Sequence, residues 1–144
     1  MYEHGLIAPV LALVLWSLVM WIWLYATRIP AMQKAKINPQ QAALDRELKL
    51  PPQAMWPADN YNHLMEQPTI YYATCLAAQL AGTTDPINIG LAWTYVVLRV
   101  VHSLVQATVN IVTLRFTIFS ISSIVLAVLA VRVTAAVFGH PLPF

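Results

Sequence analysis

From His4 to Thr27 the chain runs 24 residues without an Asp, Glu, Lys or Arg. About 20 consecutive apolar residues suffice for a helix to cross a bilayer, so this run constrains the fold more than any other feature. The run ends on Trp21, Trp23 and Tyr25 just before Arg28, which reads as an interfacial aromatic belt. Its leading residues carry Glu3 and no basic residue, and no small-x-small cleavage site follows, so it is expected to stay in the mature protein. The rest of the chain is similarly short of charge. Only 14 of 144 residues are charged, against 59% hydrophobic, and the mean hydropathy is +0.63. A soluble domain carries about a quarter charged residues. Disordered chains and solvated repeats are excluded, and a soluble globular domain cannot cover its surface with so few charges. A net charge of +2 with no basic patch gives no case for nucleic acid. The single cysteine, Cys75, has no partner for a disulfide and reads as inert packing.

Charge placement sets the organisation. Nine of the 14 charges lie between Arg28 and Glu66, and the 78 residues that follow hold four. Four membrane spans are expected, at about 6–27, 63–82, 87–110 and 116–138, within one domain covering 1–144. Their length and lack of turn signals favour helices, which satisfy their own backbone in lipid. The 28–62 connection holds Arg28, Lys34, Lys36, Arg46 and Lys49, whereas the turn after Gly82 has no basic residue. The positive-inside rule therefore places 28–62 inside, Arg115 inside and both termini outside. Within that loop, Asn38-Pro39 opens a short helix expected over Gln40 to Leu50, with Leu44 and Leu48 on one face.

Ionisable groups inside spans are costly and become candidate sites. On the third span Tyr95, Arg99, His102, Gln106 and Asn110 recur every three or four residues. At ~100° per residue they lie within about 60° of one direction. The second span opens on a matching set, Asp59, Asn62, His63, Glu66 and Thr69. A Glu66–Arg99 ion pair is expected, with Arg99 as an anion anchor. Breaking one side of such a buried pair costs on the order of 3 kcal/mol or more. A polar seam that only glues helices together accounts for the same pattern. No metal set is expected, since His63, His102 and Glu66 lack a recognisable ligand spacing. Arg132 is expected to snorkel to the outer face or to pair across a subunit contact.

The run ADNYNHLMEQPTIYYA at 58–73 resembles the opening of the second helix in the MAPEG family, the membrane-associated proteins in eicosanoid and glutathione metabolism, and its bacterial branch most of all. The run AWTYVVLRVVHS at 92–103, continued by Asn110 and Arg115-Phe116, resembles that branch's third helix. The resemblance implies an all-α integral membrane fold, a left-handed four-helix bundle that forms a homotrimer in the lipid bilayer. It also implies a bacterial inner (cytoplasmic) membrane location, and glutathione as the cofactor of a transferase or peroxidase acting on lipophilic small molecules. Carried over residue by residue, Asn60, Asn62, His63, Glu66, Tyr95 and Arg99 would bind the tripeptide. Arg115 or His102 would assist the thiolate, since a cation beside a thiol favours its anion.

The sequence also departs from the family pattern. His63 stands where an asparagine is typical, Asp59 where the eukaryotic transferases carry an arginine, and His102 and Gln106 where they carry tyrosines. These departures keep a second reading open, a non-catalytic membrane scaffold or accessory subunit with a degenerate glutathione site.

Overall fold

The computed structural model describes residues 4–45 and 49–144, and all regular secondary structure among them is helical. α1 spans Ile7–Lys34, α2 Pro39–Leu44, α3 Pro52–Leu64, α4 Pro68–Leu80, α5 Pro86–Thr108 and α6 Val112–Val137. Four of the six begin on a proline, where the missing N–H costs the helix nothing. α1 stops where Lys36 turns to φ +53° and the Ile37 N–H reaches back to the Met32 carbonyl, a C-terminal cap that satisfies the last carbonyls.

α1, α5 and α6 are each long and apolar enough to cross a membrane. At 1.5 Å per residue the 28 residues of α1 extend about 42 Å, more than the ~30 Å hydrocarbon core. The helices are apolar on the outside. α5 exposes Trp93, Val97, Val101 and Leu104 while it buries Asn88, Tyr95, Arg99, His102, Ser103 and Gln106. A helix in water shows the reverse arrangement. α1 likewise buries Val10, Leu13, Ser17 and Met20 and exposes Leu11, Leu15, Leu18 and Ile22. The chain is an integral membrane protein by these criteria.

The segment expected as a continuous second span is broken. Met65, Glu66 and Gln67 separate α3 from α4. Pro68 is the cause: it has no N–H for the Leu64 carbonyl, and its ring crowds that carbonyl. α4 alone has 13 residues, about 20 Å of helix. The short loop helix begins as expected, with Asn38 capping the Gln40 N–H at 2.9 Å, but ends at Leu44 rather than Leu50. Leu44 is exposed, and Leu48 lies outside the described residues. The rest of the expected loop includes the last turns of α1 and most of α3.

α5 packs most extensively on α6, and α1 on α3. The α5–α6 pair is fastened at one end by Arg132. Its Nε donates to Asn88 Oδ1 at 2.8 Å, and its Nη2 lies 3.2 Å from Asp85 Oδ1. Asp85 also caps α5, accepting from the N–H groups of Ile87 and Asn88. Arg132 is 9% exposed and paired within its own chain.

Candidate functional site

The break between α3 and α4 creates the site. A helix end leaves carbonyls without internal partners and carries partial negative charge. Arg99, on α5, uses this end: its Nη2 donates to the His63 carbonyl at 3.3 Å. Its Cζ sits 5.6 Å from the Phe119 ring centre, within cation–π reach. Arg99 is 0% exposed, and its Nε and Nη1 have no partner. The expected Glu66–Arg99 ion pair is absent among the described residues. Glu66 turns outward and holds the neighbouring imidazole instead, with Oε2 3.0 Å from His63 Nδ1. The three-residue spacing on a helix end brings those two side chains together, whereas Arg99 is enclosed behind them.

His63, His102 and Phe119 form an aromatic cluster. The imidazoles are 5.0 Å apart and His63 is 5.2 Å from Phe119. Beside this cluster opens a cavity of about 290 Å³, lined by Asp59, His63, Glu66, His102, Gln106 and Arg115 together with phenylalanines 116 and 119 and Val112. That volume is at the small end of ligand pockets, which begin near ~300 Å³. Arg115 reaches it from the first turn of α6, where its Nη1 donates to Asn110 Oδ1 at 2.7 Å. Two of the lining groups are buried and unpartnered, His102 Nδ1 and Gln106 Oε1. Buried polar atoms without partners are rare in folded proteins, so the chain leaves hydrogen-bonding capacity unused on two residues of the cavity wall. The rim carries one cation, Arg115, and two carboxylates, Asp59 and Glu66.

Of the residues expected at a site, His63, Glu66, His102 and Arg115 line this cavity, and Arg99 lies directly behind its aromatic wall. Asn60, Asn62 and Tyr95 do not line it. Asn60 is fully buried with both side-chain polar atoms unpartnered, and Asn62 is exposed. Tyr95 stacks on Tyr71 at 4.5 Å and donates its hydroxyl to Gln67 Oε1 at 3.2 Å. Gln67 in turn donates to Ser123 Oγ at 2.8 Å, so one amide ties the start of α4 to α5 and α6. Sequence reasoning passed over Gln67, Ser123 and Phe119. The available signals were a glutamine set immediately before a helix-opening proline and a Phe119/Ser123 pair four residues apart on one helix.

The family model described as MAPEG family matches residues 6–135. The chain belongs to the MAPEG family. Members of that family generally use glutathione. No curated protein and no solved structure matches the chain.

The cavity's side chains fit the chemistry of that tripeptide, which carries two carboxylates, an ammonium group and a thiol. Arg115 suits a carboxylate, while Glu66 and Asp59 suit the ammonium. His102 and Gln106 suit peptide groups.

Proposed function

We propose that this chain crosses the membrane four times as a single domain, with residues 63–82, which include α4, as the second span, the 28–62 loop inside and both termini outside. In this reading it assembles as a homotrimer of left-handed bundles in a bacterial inner membrane. It binds glutathione at the inner end of the bundle, and the reaction is glutathione conjugation to, or peroxide reduction of, a lipophilic small molecule. The observation that carries the reading is the cavity that gathers His63, Glu66, His102, Gln106 and Arg115 in one wall, with Arg99 behind Phe119.

Bound glutathione supplies a thiol whose anion is the nucleophile. The chain's residues do the rest. Arg115, held by Asn110, provides the positive charge that favours a thiolate over a thiol. His102 offers a ring nitrogen for a proton within the same cavity. Glu66, steadied by His63, holds the ligand's ammonium group. Arg99 contributes positive potential through the aromatic wall, where the low dielectric strengthens it. Exposed apolar faces on α5 and α6 give a lipophilic partner access from the bilayer.

One observation favours the scaffold reading. Arg99 is wholly enclosed and tied to α3, as a group that only joins helices would be. Calorimetry separates the two readings. The detergent-purified protein is titrated with glutathione beside an Arg115→Ala variant. Binding heat that falls at least tenfold in affinity in the variant is expected. Absence of heat at millimolar glutathione, with the helical signal intact, overturns the enzymatic reading and leaves the scaffold.

A further inference from the structure

A second feature lies away from this cavity, along the exposed face of α1. Trp21, Ile22, Tyr25, Ala26, Ile29 and Pro30 line an open apolar groove. Pro30 also lines the adjoining hollow, which continues past Ala31 to Lys34 and is closed on its far side by Pro51 and Ala54, around the start of α3. The two share Pro30, and Ala26, Pro30 and Lys34 follow one another four residues apart along one side of α1. The composition changes along the path. The Trp21–Pro30 part is apolar almost throughout, and the far part ends on an ammonium group. Lys34 is exposed and has no hydrogen bond or ion pair among the described residues. Arg28 faces a different hollow, shared with Asp45 and Asp59, so the positive charge at the end of this groove belongs to Lys34.

We infer that this groove is a binding site for one anionic phospholipid, with an acyl chain along Trp21–Pro30 and the phosphate on Lys34. The depths agree with that occupant. If the first 20 residues of α1, Ile7 to Ala26, fill the ~30 Å hydrocarbon core, the Trp21–Ala26 stretch lies in the acyl region of the inner leaflet. Lys34 then lies about 12 Å further along the axis, and its flexible stem reaches back to phosphate level. Lys34 is also in the last turn of α1. There it is one of the basic residues the inner surface attracts to anionic lipids. The adjoining hollow has small or ring-shaped residues, Ala31, Ala35, Ala54 and Pro51, where bulky side chains would fill it. This occupant is independent of glutathione and of the α5–α6 cavity.

The probe is phosphatidylglycerol with brominated acyl chains, which quench tryptophan on contact. The full chain is reconstituted in phosphatidylcholine vesicles containing equal fractions of either brominated phosphatidylglycerol or brominated phosphatidylcholine. Quenching is expected to be greater with the anionic lipid, with the excess lost in Trp21→Phe because that ring lines the groove. The excess is also expected to vanish in Lys34→Gln and in Ala26→Leu, which fills the groove without touching the charge. It persists in Lys49→Gln, a lysine that does not line the groove. Equal quenching by both lipids overturns the inference. So does an excess that survives Lys34→Gln, or one lost equally in Lys49→Gln, since that is general attraction to an anionic surface. Circular dichroism on each variant shows that the fold is retained. Should Lys34→Gln fail to fold, Ala26→Leu decides the matter alone.

Discussion

Among the described residues, Arg99 and Arg132 are the two buried arginines, and their surroundings are unlike. Arg132 has a carboxylate and an amide on it. Arg99 has one 3.3 Å bond to a carbonyl, an aromatic ring and two unused nitrogens. Replacing them should therefore have opposite effects. Arg132→Met leaves the buried Asn88 Oδ1 unpaired and should lower stability by about 1–3 kcal/mol, read as a fall in the thermal midpoint in detergent. Arg99→Met removes a poorly compensated buried charge while keeping the volume. It should leave the midpoint unchanged or raise stability by about 1 kcal/mol. The same variant should weaken glutathione binding roughly tenfold, ~1.4 kcal/mol. A fall of several kcal/mol in Arg99→Met would instead mark Arg99 as a helix-joining group. The polar face of α5 was legible in the sequence because helical spacing aligns Tyr95, Arg99, His102 and Gln106. The partners were not. Spacing along one helix does not say which neighbour faces it, so Glu66 was assigned to Arg99 although it holds His63. The Asp85–Arg132 contact spans 47 positions, and only the folded chain brings it together.

At the scale of elements, prolines govern where helices start. Pro39, Pro52, Pro68 and Pro86 each open one, and Pro68 turns the expected second span into two pieces. Its effect on the site is direct, because at the break the His63 carbonyl, which accepts from the Glu66 N–H, also receives Arg99, and Gln67 is set against Tyr95 and Ser123. Gln67→Leu leaves the buried Tyr95 hydroxyl without a partner, with an expected cost of about 1–3 kcal/mol. In a double-mutant cycle with Tyr95→Phe that cost should be largely recovered, since the second change removes the orphaned group. Additive losses would show that Gln67 acts through packing alone. Apolar length located α1, α5 and α6 without difficulty, because composition over 20 residues is a coarse signal. The α3–α4 break depends on one residue, and composition averages it away.

For the whole molecule, the testable quantity is sidedness. If α3 and α4 together cross the bilayer, the two ends of the chain face the same side, and residues 35–51 face the other. In a Cys75→Ala background, His140→Cys should react with a membrane-impermeant maleimide on intact cells. Lys36→Cys should react only after permeabilisation. Labelling of His140→Cys only after permeabilisation would mean that the chain crosses three times, with α4 remaining on one side. The wild-type cysteine provides a control, since Cys75 is fully enclosed and should stay unlabelled until the fold is lost.

The turn between α5 and α6 consists of three residues, with Asn110 at φ +50° and anchored to Arg115. So short a connection bears on biosynthesis. α1 has no charged residue from Ile7 to Thr27 and can leave the insertion machinery alone. α5 carries Arg99, His102 and Gln106 on one face, which lipid solvates poorly, and α6 brings Phe119 and Ser123 to cover that neighbourhood. Three residues keep the two helices within reach of each other as they emerge, so they enter the bilayer as one hairpin. A nascent chain truncated at Asn110 should integrate its last helix far less completely than one continued through Val137, as glycosylation mapping in microsomes would read.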